Sequence, residues 1–435
     1  MTDNDTTSDG ATRRDSRERE RAGSRRGSGR SERTRRDYLK YGGAVVGGGL
    51  LAGCTGGSDG GAGADPTDAG TSTPPRTSTT TPTESATTRT ADESTATPDG
   101  SYTVEMAPVG EVRFERPPER VTHYFPDYAD MAVALGHGDS ILSMGLPSRF
   151  HTSHYDELDG VSVDAGSITK LNGDNGIDKE VFYELDGDLH LIDPRWLVNN
   201  SFFGIEESDV AELAENVAPF VGNTIFRRTD DWHTYRYYTL YEAFEKVARI
   251  HREQERFDRL ERLHDEFVAD TQADLPPADD RPNALLTFAS GDEPEAFYPY
   301  RVSDRGTNKK HFHDLGIADA LAGTGVEGLS TTDRGQIDYE TMLEVDPDSI
   351  LVRGHEDKSR REFEETVLAF MKSHGTASEL TAVRNDMVFR GGPIYVGPLH
   401  HLFLTERYAT LYYPEVYSGE LFDRGRLAGI VEGGS

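Results

Sequence analysis

The chain has 435 residues, with 46 Lys plus Arg against 77 Asp plus Glu, a formal net charge of −31. That balance excludes a general nucleic-acid binder, which needs a basic face to neutralise phosphates, and disfavours docking of the folded surface on an anionic membrane. One Cys excludes intramolecular disulfides and Cys-rich zinc sites, and no run of some 18 apolar residues marks an ordinary membrane-spanning helix.

The chain opens on a local reversal of charge. Residues 1–36 hold eleven Arg against seven acids. Arg35-Arg36 closes this stretch and Tyr38 follows it, then a Gly-rich apolar run from Tyr41 to Gly53 that ends in Leu51-Ala52-Gly53, directly before Cys54. A basic region plus a short apolar stretch reads as an export signal, here resembling the twin-arginine type. The Leu-Ala-Gly-Cys sequence resembles a lipobox, so residues 1–54 are expected to be a lipoprotein signal with Cys54 lipidated. Residues 55–100 are almost entirely Gly, Ser, Thr, Pro, Ala and Asp. Such a segment buries too little apolar surface to offset its ordering entropy and reads as a tether. As a flexible coil its ends lie roughly 40 Å apart.

From Ser101 onward short apolar runs alternate with helical patterns. Arg120–Tyr124, Ser140–Leu146, Leu189–Asp193 and Ala218–Gly222 read as strands of one half. Asn283–Ala289, Ser349–Val352 and Met387–Arg390 read as strands of another. Alternation of this kind predicts an α/β fold with mostly parallel sheets. Between the halves, residues 234–271 carry apolar positions at three- and four-residue steps. Acid-to-base pairs such as Glu245/Arg249 and Glu255/Arg259 support one helix roughly 55 Å long. The expected division is an N-terminal lobe over 101–233, a linking helix over 234–271, and a C-terminal lobe over 272–435.

A gapless internal repeat supports two related halves. Ile177 to Ile192 matches Ile337 to Val352 at seven of sixteen positions in the frame I-D-x-E-x(3)-E-[LV]-D-x-D-x(2)-L-[IV]. It predicts an Asp-capped helix, a tight turn and a buried strand in each half. Ligands of open α/β sheets bind beyond the carboxyl ends of the strands. Arg and aromatic residues recur in those loops despite the acidic composition. Tyr124, Arg149, Arg195, Trp196, Tyr298, Tyr300, Arg353, His355, Arg390 and Tyr395 are the candidates, with the Phe226-Arg227-Arg228 loop beside them. Guanidinium forks suit carboxylate or catecholate oxygens, and rings suit the apolar faces of a chelate. His151-x-x-His154, His311-x-His313 and His400-His401 offer imidazoles, but no H-E-x-x-H or spaced Cys/His pattern marks a zinc site.

With Pro118-Glu119-Arg120-Val121, the run from Tyr128 to Gly136, the repeat and the central helix in place, the chain resembles a class III substrate-binding protein of iron-siderophore, haem and cobalamin importers. The resemblance covers nearly all of residues 110–420. It implies two Rossmann-like lobes joined by one long helix, a metal chelate held between them, and no catalytic residues, cofactor or enzymatic activity. A ferric siderophore is the expected cargo, with haem or cobalamin as alternatives. A secreted metal-dependent hydrolase is the rival from another class. The resemblance further implies an ABC permease and its ATPase as partners, met through Glu180 and Glu340, and a location on the outer face of the cell membrane. The acid-rich surface with only eight Lys also resembles proteins of salt-loving archaea.

Overall fold

A computed structural model describes residues 100–326 and 335–434. The expected signal, Cys54 and all of the tether but Gly100 lie outside the described residues. The chain begins with a hairpin, β1 (Tyr102–Met106) and β2 (Gly110–Phe114), whose alternation buries Tyr102, Val104 and Met106. The first lobe follows as β3 (Val121–His123), α1 (Pro126–Ala134), β4 (Ile141–Met144), β5 (Thr169–Lys170), β6 (Asn172–Gly173) and β7 (Gly176–Ile177). It continues through α2 (Glu180–Leu185), β8 (Leu189–Leu191), α3 (Pro194–Asn199), α4 (Glu207–Asn216) and β9 (Phe220–Val221). Its sheet is wholly parallel in the order β5-β4-β3-β8-β9.

The connection consists of α5 (Leu240–His251) and α6 (Gln254–Ala273). The second lobe then builds a separate sheet from β10 (Asn283–Phe288), β11 (Tyr298–Tyr300), β12 (Ala318–Asp319), β13 (Ser349–Arg353) and β14 (Val388–Arg390). Only β11 runs antiparallel to its neighbour. Its helices are α7 (Lys310–Asp314), α8 (Tyr339–Val345), α9 (Arg360–Phe363), α10 (Ala369–Ser373) and α11 (Thr381–Arg384). Then come α12 (Pro398–Tyr412) and α13 (Arg424–Val431). All seven sequence-predicted strands are present, and the expected two α/β lobes stand as two sheets.

The repeat starts differently in its two copies and ends alike: Asp338 caps α8 by accepting from the Thr341 amide, whereas α2 begins at Lys179 with no side-chain cap and Asp178 accepts from the Glu180 amide instead. Helices α2 and α8 both end on an aspartate with left-handed backbone, Asp186 at φ 46° and Asp346 at φ 38°. Two residues on, Asp188 accepts from the amides of Glu119 and Arg120, while Asp348 accepts from the amide and side chain of Asn283. In each half this aspartate ties the start of one buried strand to the start of the next. The D-x-D spacing thus has a mechanical role: one carboxylate sits at the turn and the other sets strand alignment.

Two boundaries differ from expectation. The 234–271 rod is not one helix. Residues 234–238 are non-helical, and Thr239 caps α5 in a reciprocal pair with Glu242. The helix then stops at Arg252, which holds φ 59°, while the Glu253 amide reaches back to the Ala248 carbonyl. This is the six-to-one bond of a Schellman ending, normally built on Gly; an Arg in that place hides the stop from sequence reading. The Arg252 guanidinium stacks 4.3 Å from the Tyr102 ring centroid, and the Tyr102 hydroxyl donates to the Ile250 carbonyl, so the opening hairpin secures the break. Secondly, the C-terminal residues do not stay with the second lobe. Leu427, Ala428, Ile430 and Val431 of α13, with Leu399, Leu402 and Phe403 of α12, join the hydrophobic core of the first lobe and of α6. Arg424 completes the crossing by pairing with Glu157 of the first lobe at 3.3 Å and with Glu406.

Asp130 on α1, 2 % exposed, is the polar tie between lobes. One carboxylate oxygen accepts from the Leu399 and His400 amides (2.8 and 3.2 Å), capping α12 from outside; the other accepts from the Tyr155 hydroxyl at 2.6 Å. Gly397 precedes that helix because any Cβ there would collide with the Asp130 side chain. Replacing Asp130 by Ala orphans buried amides and a hydroxyl, so Asp130→Ala should cost about 2–4 kcal/mol. Urea unfolding checks this: Asp188→Ala, on a part-exposed carboxylate, should cost clearly less than Asp130→Ala.

Candidate functional site

Loops leaving the carboxyl ends of strands in both sheets touch one another and form the junction. Tyr124 and Phe125 follow β3; Pro194, at the first turn of α3, places Trp196 after β8; Phe226 and Arg227 follow β9. Arg353 ends β13, Arg390 ends β14, and Tyr395 follows from the second lobe. The lobes meet through aromatic rings. Tyr395 lies 5.6 Å from Phe125 and 4.9 Å from Phe226, and Trp196 lies 5.4 and 5.5 Å from the same two rings. Backbones also touch, with the Thr307 amide donating to the Ile225 carbonyl at 3.1 Å. At Gly306 a Cβ would strike the Phe226 carbonyl, so only glycine permits this approach.

Of the sequence-predicted residues, Tyr124, Trp196 and Tyr395 come together in this cluster, and Arg149 reaches it. The Tyr124 hydroxyl accepts from the Asn172 side chain at 3.0 Å. Burial raises the Tyr395 hydroxyl pKa, while the nearby guanidinium of Arg149 works the other way. Arg353 is buried, donates to the carbonyls of Asn308 (2.7 Å) and Gly391 (3.3 Å), and covers the Tyr300 ring at 5.1 Å. Tyr298 stands opposite Phe288 at the end of β10, with the Gln336 side chain on its hydroxyl. His355 packs on Phe363 at 5.6 Å. Arg390 donates to the Lys358 carbonyl. Arg195 is not brought into the cluster; it is exposed and pairs with Glu207 at 2.8 Å. With Trp232 and Tyr235 it lines an open pocket of about 470 Å³ on the first lobe.

Two groups at the junction escaped the sequence reading. Lys309 is 1 % exposed, and burial brings its ammonium down to about 7 despite Asp304 at 3.8 Å; the cationic Arg353 and Arg227 push the same way. Asp127, also buried, is pushed up to about 8, chiefly by desolvation. A Lys309-Lys310 pair in a chain with eight lysines was a usable signal; Asp127 gave none. Arg227 belonged to a loop singled out in the sequence. It lies 5.3 Å from both the Trp196 and Phe226 centroids and grips Asp230 with two hydrogen bonds of 2.7 and 2.6 Å. Cations from both lobes therefore converge on an aromatic floor inside a strongly acidic protein. Such a junction can hold a planar or anionic solute by charge-assisted hydrogen bonds and ring contact.

Glu180 and Glu340 are exposed in the first turns of the repeat helices α2 and α8, as the frame predicts. The Glu340 carboxylate accepts from Thr376 at 3.2 Å.

A model of the periplasmic binding protein family matches residues 121–395. No curated protein matches the chain. Among solved structures, the iron-uptake ABC transporter substrate-binding protein PiuA of Streptococcus pneumoniae is 16 % identical; the match covers 70 % of this chain and 96 % of that one, TM-score 0.49. The petrobactin-binding protein YclQ of Bacillus subtilis is 15 % identical over 76 % and 99 % of the two chains, TM-score 0.48. A protein of an ABC-type Fe3+-hydroxamate transport system from Saccharomonospora viridis is 18 % identical over 72 % and 98 %, TM-score 0.45.

The two lobes enclose many neutral imidazoles. Burial lowers His123 and His190 to about 4, and His233 and His251 to about 3. Because these folded-state values lie below the ordinary 6.5, the unfolded chain binds more protons as pH falls from about 6.5 toward 4. Stability is present above that window and lost on descending through it. The urea midpoint should therefore drop steeply between pH 7 and pH 5, and His251→Gln should flatten that slope.

Proposed function

The chain belongs to the periplasmic binding protein family, and from that premise we propose that it is the lipid-anchored receptor of an ABC importer for a ferric siderophore or similar anionic metal chelate. Binding proteins of this family are not enzymes and work outside the cytoplasmic membrane, which sets the hydrolase reading aside. No helix among the described residues is long and apolar enough to cross a membrane. Anchoring is assigned to Cys54, in the lipobox-like Leu51-Ala52-Gly53-Cys54 sequence, and the 55–100 segment gives the lobes reach toward a permease.

One observation carries the cargo assignment: Arg149, Arg227, Lys309 and Arg353 gather around the Phe125–Phe226–Tyr395 contact in a chain of net charge −31. An anionic chelate entering there offsets the desolvation that lowers Lys309 and the smaller push from Arg353 and Arg227, and its flat ligand faces replace ring-to-ring contacts. Haem and cobalamin remain the alternatives of the same class, to be told apart by the ligand itself.

Trp196 belongs to this cluster and Trp232 lies 6.4 Å from it, so Trp emission reports on the site. Titration of the full-length chain with a negatively charged ferric chelate should quench that emission saturably, with no turnover of the chelate. Lys309→Met and Arg227→Gln should each weaken binding tenfold or more. Quenching by haem or cobalamin alone would replace the siderophore, and no quenching by any of the three would end the assignment. The matched positions of Glu180 and Glu340 support docking on a two-fold permease. Reversing both charges should depress uptake by cells while leaving the chelate titration unchanged, whereas Cys54→Ala should shift the protein from the membrane fraction to the medium.

A further inference from the structure

Away from the junction, three helices bring nitrogen and oxygen donors together in the interior. His264 comes from α6, Asp314 ends α7, and His401 lies in the first turns of α12. One donor atom from each lies within 4.8 Å of the others. His264 is 6 % exposed and His401 fully buried.

The hydrogen bonds around the trio prepare it for a further guest. The carboxylate of Asp265 stands 2.9 Å from Nδ1 of His264. In the neutral ring that places the proton on Nδ1 and leaves a lone pair on Nε2, a buried atom with no hydrogen-bond partner. A carboxylate behind a histidine, fixing its tautomer and leaving the other nitrogen as donor, is the arrangement that orients metal-bound imidazoles. His401 Nε2 donates to the Asp314 carboxylate at 2.8 Å and lies 3.3 Å from Thr405 Oγ1, so taking a metal there means carrying the ring proton on Nδ1, a buried atom with no partner, instead. Tyr241 packs with its centroid 4.0 Å from that of His264, holding the ring in place.

We propose that His264, Asp314 and His401 form a binding site for a divalent metal ion of borderline softness, Zn2+, Co2+ or Ni2+, that fastens the linking helix to the second lobe. Two imidazoles and one carboxylate, with a fourth position for water, are a donor set that such ions favour. The site draws on none of the residues assigned to the chelate, so it stands or falls separately from the cargo. Lys310 is its competitor: the ammonium lies 2.7 Å from the same Asp314 carboxylate. The metal must displace that ion pair, and removing the lysine should favour the metal.

The test uses the full-length chain, stripped with chelator and titrated with Co2+ and Zn2+ in the absence of any siderophore. Co2+ should give the intense visible band of low-coordinate cobalt at one equivalent, and Zn2+ should raise the melting temperature by several degrees. His264→Gln and His401→Gln should each abolish both responses, and Lys310→Met should tighten binding at least severalfold. Circular dichroism of each metal-free variant separates lost binding from lost folding. If a glutamine variant fails to fold, the wild-type cobalt spectrum together with Lys310→Met still decides. A weak six-coordinate spectrum with an unchanged melting temperature in both wild type and Lys310→Met would overturn the site. So would full binding in folded His264→Gln and His401→Gln variants, which would put the ion elsewhere.

Discussion

The buried carboxylate of Asp130 governs the geometry on which the candidate site rests. It lies in the first turns of α1, which starts directly after Phe125, and it caps α12, which starts three residues after Tyr395. Holding those two helix starts together brings Phe125 and Tyr395 into contact at 5.6 Å. A charge or dipole this deep is tolerated only when its oxygens are fully engaged, and here the donors come from both lobes. The aromatic floor of the junction is thus set by a polar tie beneath it.

What could be read in the sequence was what is local. The strands announced themselves as apolar runs, and the repeat exposed the paired D-x-D turns because all its members lie within sixteen residues. Glu180 and Glu340 followed from that frame. The Asp130 tie joins residues 269 apart, and nothing in the sequence near Leu399 indicates it. The helix break at Arg252 was hidden because the left-handed position carries an arginine, where composition leads one to look for Gly or Asn. Among the site residues, Tyr124, Trp196 and Tyr395 were found because they sit just past strand ends. Arg195 shared that placement, yet its guanidinium pairs with Glu207 at the surface. Placement beyond a strand end locates a loop, whereas the direction of a side chain depends on tertiary packing.

Charge is segregated by depth. Acids dominate the composition, while Lys309, Arg353 and Arg227 lie almost wholly inside. Their positions next to one another and to the rings of Trp196, Phe226 and Tyr300 make the junction a cationic island. High salt weakens long-range repulsion among surface carboxylates far more than it weakens contacts in a desolvated interior. The same fold therefore keeps an outer shell tuned to ionic strength and an inner site that is largely shielded from it.

The interrupted connection changes how the two halves can move. A single rod would carry torque from end to end, so that twisting one lobe twists the other. With a left-handed knuckle at Arg252, α5 is a fixture of the first lobe, and the lever is the 20-residue α6 alone, about 30 Å long. That lever is braced along its flank by α13, which belongs by sequence to the far end of the chain. Any swing of the second lobe must then slide one packed helix on another, which favours short, shearing excursions over a wide-open gape.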